Sequence, residues 1–279
     1  MLAGFSPSIL NYSVPLLHAI STLGCPDLPL DDVATLLRAH GLDAAEVRCV
    51  AGTLDLPTYF AATYGTGENL AAHLRSLDLT LVSLDTSFQL IGSTPAQREE
   101  FLRFVPWAEA LGLRWLRVFD GGKAGTDAEF AEAAATHRWW RDLRQANGWT
   151  VDVMVETHDL LFTSALIDRF LADAPGAALL WDSHHTWRRG REDPVATWSA
   201  IHAHVVHLHV KDSIEVPSDR HPFTYVLPGE GQFPIAPLLA RLNEDRYSGY
   251  VTLEWEKRWH PYLPPLETAL AQATRIGWW

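Results

Sequence analysis

Short apolar runs alternate with longer segments of helical periodicity along most of the chain. Eight runs rich in β-branched, aliphatic and aromatic residues have the length and composition of β-strands. They cover residues 17–22, 44–50, 79–85, 114–120, 150–156, 177–182, 204–210 and 249–255. The pattern therefore predicts eight strands separated by helices.

Helix signals stand between these runs. Asp31 and Asp32 open a helical pattern that Gly41 ends, and Pro95 and Pro194 occupy first helical positions. Further helical patterns cover residues 66–77, 127–147, 163–174, 233–245 and 265–275. This alternation predicts an α/β fold, a single (β/α)8 TIM barrel with its active site at the C-terminal ends of the strands. The rival is an open doubly wound sheet, but no glycine-rich phosphate turn follows any of the runs.

Four of the predicted strands carry an ionisable side chain at their C-terminal end. Because side chains alternate faces along a strand, Glu156, Asp182, His209 and Glu254 lie opposite the apolar residues that would face the helices. An antiparallel sheet with one solvated face would show the same alternation, but the intervening helices argue against it. We therefore expect these side chains to converge from strands five to eight at the barrel mouth.

Three carboxylates in an apolar barrel repel one another unless a cation neutralises them. Three oxygen ligands and one imidazole suit one divalent metal ion, either Mn²⁺, Mg²⁺ or Co²⁺, and Zn²⁺ is also compatible. The sequence thus predicts a metal site formed by Glu156, Asp182, His209 and Glu254.

Net charge, cysteine content and the absence of long apolar runs argue against several classes of protein. The net charge of −12 argues against binding nucleic acid through its phosphates and against docking on an anionic membrane. Cys25 and Cys49 form no Cys-x-x-Cys pair, and we expect both to be reduced thiols. The first residues lack the basic region of a signal peptide, and no apolar run approaches the roughly 20 residues of a membrane helix. We expect a cytoplasmic protein.

Taken together, the motifs resemble those of the xylose-isomerase-like barrels, which include sugar and sugar-phosphate isomerases and epimerases. The resemblance begins near His18 and rests on LDTSF, LRVFDGG, ETHD, WDSHH, HLHVKD, PGEG and GYVTLEWE. Residues 1–16 precede it and are expected to be an N-terminal extension to a barrel of residues 17–279. The ketose 3-epimerases of this family carry glutamate and arginine where this chain has Phe162 and Glu215.

The resemblance implies the same four metal ligands and adds two substrate contacts, His158 and His185. A metal that binds a carbonyl and its neighbouring hydroxyl favours proton transfer through a metal-stabilised enediolate. We assign Glu156 and Glu254 as the catalytic base and acid of this transfer.

Three further residues are predicted from position alone to contact the substrate. Arg117 would bind a substrate carboxylate or phosphate if it points into the barrel, but would face the helices if Asp120 points inward instead. Trp187 and Trp259 lie near the expected mouth, where an aromatic ring can stack on the apolar face of a sugar.

The predicted function is therefore a metal-dependent isomerase or epimerase acting on a sugar or sugar-derived molecule, with no cofactor besides the metal. The alternatives are a lyase or dehydratase at the same site and a non-catalytic subunit that binds metal and sugar. A more distant resemblance, to AP endonuclease IV, rests on Asp219 and His221, but the earlier strands end in Asp85 and Asp120 where those enzymes supply histidines. We expect a small-molecule partner, no nucleic acid and no membrane; a homo-oligomer is compatible with the sequence.

Overall fold

The computed structural model describes residues 15–278, and these form a closed barrel of eight parallel strands. The barrel strands are β1 (Leu17–Ser21), β2 (Ala44–Val47), β3 (Thr80–Ile91), β4 (Trp115–Gly121), β5 (Asp152–Glu156), β6 (Ala178–Asp182), β7 (Val205–Val210) and β10 (Tyr250–Leu253). Two short strands, β8 (Asp212–Ile214) and β9 (Thr224–Val226), form a separate antiparallel hairpin. Each barrel strand overlaps one predicted run, and β1 closes the sheet by pairing with both β2 and β10. The predicted TIM barrel is confirmed.

Helices connect the strands and cover the outside of the barrel. They are α1 (Leu30–Ala39), α2 (Leu56–Tyr64), α3 (Gly67–Ser76), α4 (Pro95–Leu102), α5 (Val105–Leu111), α6 (Asp127–Asn147), α7 (Ser164–Asp173), α8 (Ser183–Arg188), α9 (Pro194–Ile201), α10 (Ile235–Glu244) and α11 (Leu266–Arg275). The sequence pattern predicted eight of these and missed α2, α5 and α8. None of the helices between residues 15 and 278 is long and apolar enough to cross a membrane.

Local sequence signals explain where several helices begin. Thr94 caps α4 and Thr126 caps α6, and in both cases the third helical residue returns a side-chain bond to the cap, which satisfies free N–H groups at the helix start. Asp193 caps α9 and Pro194 follows it at the first helical position. The same signals had marked α4 and α9 in the sequence.

Strand β2 is shorter than the predicted run of residues 44–50. The backbone N–H groups of Arg48 and Cys49 donate to the Thr22 hydroxyl instead of a neighbouring strand. A side chain from the loop after β1 therefore ends the strand and turns the chain at the barrel mouth.

The strands alternate interior and helix-facing side chains. Leu208 is fully buried in the hydrophobic layer between barrel and helices. Its neighbour His207 lies 2.9 Å from Glu46, which belongs to a strand three positions away around the barrel, so both point inward. The interior is thus polar towards the C-terminal ends of the strands.

A long insertion between β7 and β10 contains the unpredicted hairpin. Asp212 organises it, because its carboxylate accepts hydrogen bonds from the backbone N–H groups of Ser213, Gly229, Gly231 and Phe233. A Cβ at Gly231 would lie 2.0 Å from the Asp212 carboxylate, so this close approach requires glycine. The insertion is a packed structural unit.

The N-terminal extension predicted for residues 1–16 lies almost entirely outside the described residues. Of that segment the structure describes Pro15 and Leu16, and Leu16 is buried against the core. The boundary at residue 17 stays a prediction.

Truncation of Leu208 tests the packing between barrel and helices. We expect Leu208→Ala to lower the free energy of unfolding by about 2–5 kcal/mol, because it leaves a cavity in the packed layer. Leu17→Ala is the control, since Leu17 is 44% exposed, and should cost about 0.5 kcal/mol or less. Urea denaturation measures both, and equal effects would contradict the packing described.

Candidate active site

The four predicted metal ligands meet at the C-terminal mouth of the barrel. Glu156 ends β5, Asp182 ends β6, His209 lies on β7 and Glu254 follows β10. All four are buried, and one ligand atom from each lies within 4.8 Å of the others. The structure therefore brings together the side chains that strand alternation had selected.

Strand pairing and a helix cap aim two of these side chains. Asp182 pairs with His209 across β6 and β7, which places them at one level. Asp182 also caps α8, and its Oδ1 accepts hydrogen bonds from the backbone N–H groups of His184 and His185. These hydrogen bonds fix the orientation of the Asp182 carboxylate, and its Oδ2 points towards the cluster.

Three of the ligand atoms make no hydrogen bond to any residue between 15 and 278. They are Glu156 Oε2, Asp182 Oδ2 and His209 Nδ1, and all three are shielded from solvent. Two of them have a charged neighbour, since Arg117 Nε lies 3.2 Å from Glu156 Oε2 and Lys211 Nζ lies 2.8 Å from Asp182 Oδ2. Buried polar atoms are almost always hydrogen-bonded, so three such atoms without a hydrogen bond at one point indicate a position that a ligand can occupy. Carboxylate oxygens and a neutral imidazole nitrogen are donors that divalent cations accept. The residues present fit a metal ion.

The buried charge around this point leads to the same conclusion. Five carboxylates are buried here, on Glu46, Asp85, Glu156, Asp182 and Glu254, against three permanently cationic side chains, Arg48, Arg117 and Lys211. Burial, with the charge of Glu46, raises the pKa of Asp85 to about 7. With His209 neutral, as a metal ligand must be, two negative charges are left over when Asp85 is ionised and one when it is protonated. A divalent cation would offset this negative charge.

Lys211 supports the cluster from the end of β7. Its Nζ lies 2.8 Å from Asp182 Oδ2 and 2.6 Å from Glu256 Oε1, and it also contacts Glu254. Burial opposes the charge of this ammonium, but these carboxylates outweigh burial and raise its pKa. Lys211 thus orients the ligand carboxylates and does not pair with its neighbour Asp212, whose carboxylate binds backbone amides instead.

Glu46 on β2 is a buried partner that the sequence analysis missed. Its Oε2 accepts a hydrogen bond from His209 Nε2 at 2.8 Å, which leaves the Nδ1 lone pair of His209 facing the cluster. His207 Nε2 also lies 2.9 Å from the same oxygen and 2.8 Å from the Thr252 hydroxyl. A carboxylate behind a metal-binding histidine fixes its orientation and tautomer.

Arg117 points into the barrel, which decides between the two orientations considered from sequence. Its Nε lies 3.2 Å from Glu156 Oε2, and its Nη2 lies 3.8 Å from Asp85 Oδ2. Asp120 has a structural role instead, because its carboxylate accepts hydrogen bonds from the backbone N–H groups of residues 158–161 and shapes the loop after β5.

That loop presents His158 to a cavity of about 380 Å³ at the barrel mouth. Burial disfavours the imidazolium form of His158, but Asp159, 3.2 Å away, and Glu156 outweigh burial and raise its pKa to about 9. His185 differs, because burial and then the charge of Lys211 lower its pKa. The Nδ1–H of His185 donates to the Thr157 carbonyl, so a neutral Nε2 is left as an acceptor.

The same cavity contains Glu156, Glu254 and Trp259 but not Trp187. The Trp187 ring packs against His184 and Phe233, on the far side of α8. Its predicted position at the substrate cavity therefore finds no support in the geometry, whereas Trp259 does line the cavity.

Several other cavity residues were not selected from sequence. Arg48, Phe119, Arg220 and His260 line the cavity. Arg48 lies two positions after Glu46, so both side chains face the barrel interior. Two charged residues at this spacing in an otherwise apolar run could have identified both from the sequence. His221, one of the two residues on which the resemblance to AP endonuclease IV rests, also lines the cavity.

A larger cavity, of about 610 Å³, lies at the opposite end of the barrel. Thr80, Trp115 and Tyr250, which begin their strands, line it together with loop residues that precede them. TIM-barrel active sites lie at the other end, where the unpaired ligand atoms are. The smaller cavity is therefore the candidate active site.

The role of Glu46 in orienting His209 can be tested by metal binding. We expect Glu46→Gln to weaken divalent-metal affinity roughly 10–100-fold, because the carboxylate behind the ligand loses its charge. Competition with a chromogenic chelator measures the affinity, and Glu99→Gln, at an exposed position, is the control. Unchanged affinity in Glu46→Gln would show that Glu46 does not act through His209.

Solved structures share this fold. The probable 3-DHS dehydratase AsbF from Bacillus anthracis, involved in petrobactin synthesis, is 18% identical and has a TM-score of 0.75, with 93% of this chain and 99% of its own covered. A xylose isomerase domain containing protein from Salmonella typhimurium is 13% identical, with a TM-score of 0.71 and coverage of 94% and 97%. The IolI protein, which binds a zinc atom in its structure, is 16% identical, with a TM-score of 0.70 and coverage of 93% and 96%.

These identities are low, so the structural likeness shows the fold alone. No curated protein matches the sequence. The family model of the xylose isomerase-like TIM barrel, however, matches residues 34–277, which include all four clustered ligands. The resemblance seen in the sequence motifs is confirmed, and the chain belongs to the xylose isomerase-like TIM barrel family.

Proposed function

We propose that the protein is a divalent-metal-dependent isomerase or epimerase of a sugar or sugar-derived molecule. The observation that carries the proposal is the convergence of buried ligand atoms from Glu156, Asp182, His209 and Glu254 within 4.8 Å of one another, beside a cavity of small-molecule size. An enclosed cavity with a few convergent polar groups is the usual form of such a site. The IolI structure with its zinc atom supports a metal in this fold.

Glu156, Asp182, His209 and Glu254 would hold the metal. Three carboxylates and one imidazole favour Mn²⁺, Mg²⁺ or Co²⁺, and Zn²⁺ is compatible. When bound, a divalent cation would polarise a substrate carbonyl and make the neighbouring C–H more acidic.

Glu156 and Glu254 would move the proton. Both line the cavity, so both carboxylates can reach a bound substrate. One takes the proton from the carbon next to the carbonyl, and the other returns a proton either to that carbon from the opposite face or to the former carbonyl carbon, in which case the proton of the neighbouring hydroxyl moves to the carbonyl oxygen. The first outcome is epimerisation and the second is isomerisation.

The histidines and aromatic residues of the cavity would orient the substrate. His158, protonated at neutral pH by its raised pKa, can donate a hydrogen bond to a substrate oxygen. His185 does not line the cavity itself but packs against His158, with 4.9 Å between the ring centroids, and its neutral imidazole would accept a hydrogen bond from a substrate that extends to it. Trp259 and Phe119 offer apolar faces for the carbon skeleton. The partner is therefore a small polar molecule.

His158 gives specific support to a second candidate, a lyase or dehydratase on the same class of substrate. A carboxylate would remove the proton next to the carbonyl, and the neighbouring C–O bond would break. The hydroxyl would leave as water with the proton of the His158 imidazolium. Product mass separates the two functions, because dehydration removes one water and isomerisation leaves the mass unchanged.

Solvent exchange tests the proton transfer directly. In D₂O, the wild type should place deuterium on carbon in at least one member of a panel of aldoses, ketoses and hydroxylated keto acids. We expect Glu156→Gln and Glu254→Gln each to slow this exchange about 10²–10⁴-fold while the fold is kept. NMR measures the exchange, and Glu99→Gln should leave it unchanged.

Exchange at the wild-type rate in both variants would contradict the proposal. Exchange with none of the panel, despite ligand-dependent thermal stabilisation, would instead favour a non-catalytic metal- and sugar-binding protein.

A further inference from the structure

Two buried arginines lie in the wall of the candidate active site. Arg48 follows β2 and Arg117 lies on β4, and both line the cavity that contains Glu156 and Glu254. Arg48 is 6% exposed and Arg117 is 1% exposed. Arginine is rarely buried unless its charge is paired, so both arginines are expected to have partners.

Neighbouring residues accept hydrogen bonds from only some of the N–H donors of these two guanidinium groups. Arg48 Nη2 donates to the Ser87 hydroxyl at 2.8 Å, but its Nη1 has no hydrogen-bond partner among residues 15–278. Arg117 Nε lies 3.2 Å from Glu156 Oε2 and its Nη2 lies 3.8 Å from Asp85 Oδ2, whereas its Nη1 likewise forms no hydrogen bond within that part of the chain. A buried charged donor without a partner is costly, so the two Nη1 groups point to a ligand.

The two guanidinium groups also act on each other. Burial lowers the pKa of Arg48 to about 10, and the charge of Arg117 is the next largest cause. A third arginine, Arg220, lines the same cavity from the insertion. The cavity wall therefore carries three arginines beside the three glutamates Glu156, Glu254 and Glu256.

We propose that Arg48 and Arg117 form an anion subsite that binds a carboxylate or phosphate group of the substrate. Both groups offer several oxygens to the forked donors of arginine, which a single sugar hydroxyl does not. The subsite shares a cavity with the candidate metal ligands, so one small molecule would bind both. The inference rests on the proposed function in one respect, that the ligand is also the substrate.

Arg117 has a second role in this arrangement. Its charge faces Glu156, one of the two carboxylates that would carry the proton. An anionic group bound by Arg117 would therefore be held next to the reacting carbon. Arg48, farther along the wall and bonded to Ser87, would set which end of the substrate enters.

Binding of three matched six-carbon probes tests the subsite without any need for turnover. The probes are sorbitol, gluconate and sorbitol 6-phosphate, which are neutral, carboxylated and phosphorylated. By calorimetric titration of the protein as purified, at least one anion should bind about tenfold or more tightly than sorbitol. Preference for gluconate would identify a carboxylate ligand, and preference for sorbitol 6-phosphate a phosphate ligand.

Arginine variants connect the preference to the two side chains. Arg48→Met and Arg117→Met should each weaken binding of the preferred anion about tenfold or more and leave sorbitol unaffected. Arg103→Met, at an exposed position, makes the same change in net charge and should have no effect. Arg48→Lys keeps the positive charge but lacks the paired N–H donors of the guanidinium group, so it should also bind the preferred anion more weakly. It replaces Arg48→Met if that variant fails to fold.

Two results would overturn the subsite. One is that neither anion binds the wild type more tightly than sorbitol, and the other is that the arginine variants keep the wild-type preference. Failure of the proposed function would appear differently, as an absence of carbon-bound deuterium in the exchange experiment while the anion preference persists.

Discussion

Repulsion among buried carboxylates is the constraint on which the mouth of this barrel depends. Ionised carboxylates in a low-dielectric interior cost several kcal/mol each unless cations are close by. Here Lys211 lies between Asp182, Glu254 and Glu256, and Arg117 lies beside Glu156 and near Asp85. These contacts offset part of the repulsion, and the remaining negative charge is concentrated where the four candidate metal ligands meet.

The barrel makes this concentration possible because it supplies rigid positions from several strands at once. The ends of β5, β6, β7 and β10 each contribute one ligand, while β2 contributes Glu46 behind His209. Loops complete the cavity: Asp120 shapes the segment that carries His158, and Asp212 anchors the insertion that carries Arg220 and His221. Asp120 and Asp212 thus bind backbone amides and shape loops, whereas Asp182 does both, because its Oδ1 caps α8 and its Oδ2 faces the cluster.

Sequence reasoning could find the barrel and the ligand cluster because both depend on strand periodicity. Alternating apolar and polar residues identify which side chains face inward, and Asp182 and His209 pair in register as that alternation requires. Arg117 could not be placed in this way, because β4 carries polar residues of both parities and tertiary contacts with Asp85 and Glu156 decide the matter. Trp187 was assigned to the mouth from nearness in sequence, but α8 turns its ring towards Phe233. Glu46 lay outside the expected cluster because its partner His209 is distant in the chain, and only barrel closure brings them together.

The central claim is that the four-residue cluster holds a metal, and elemental analysis of the purified protein tests it most directly. Wild type, His209→Ala and His137→Ala would be compared, since His137 is a buried histidine on α6 outside the site. We predict about one divalent metal per chain in the wild type and in His137→Ala, and a loss of that metal in His209→Ala. Equal metal content in all three proteins, or no metal in any of them after addition of Mn²⁺, would contradict the account.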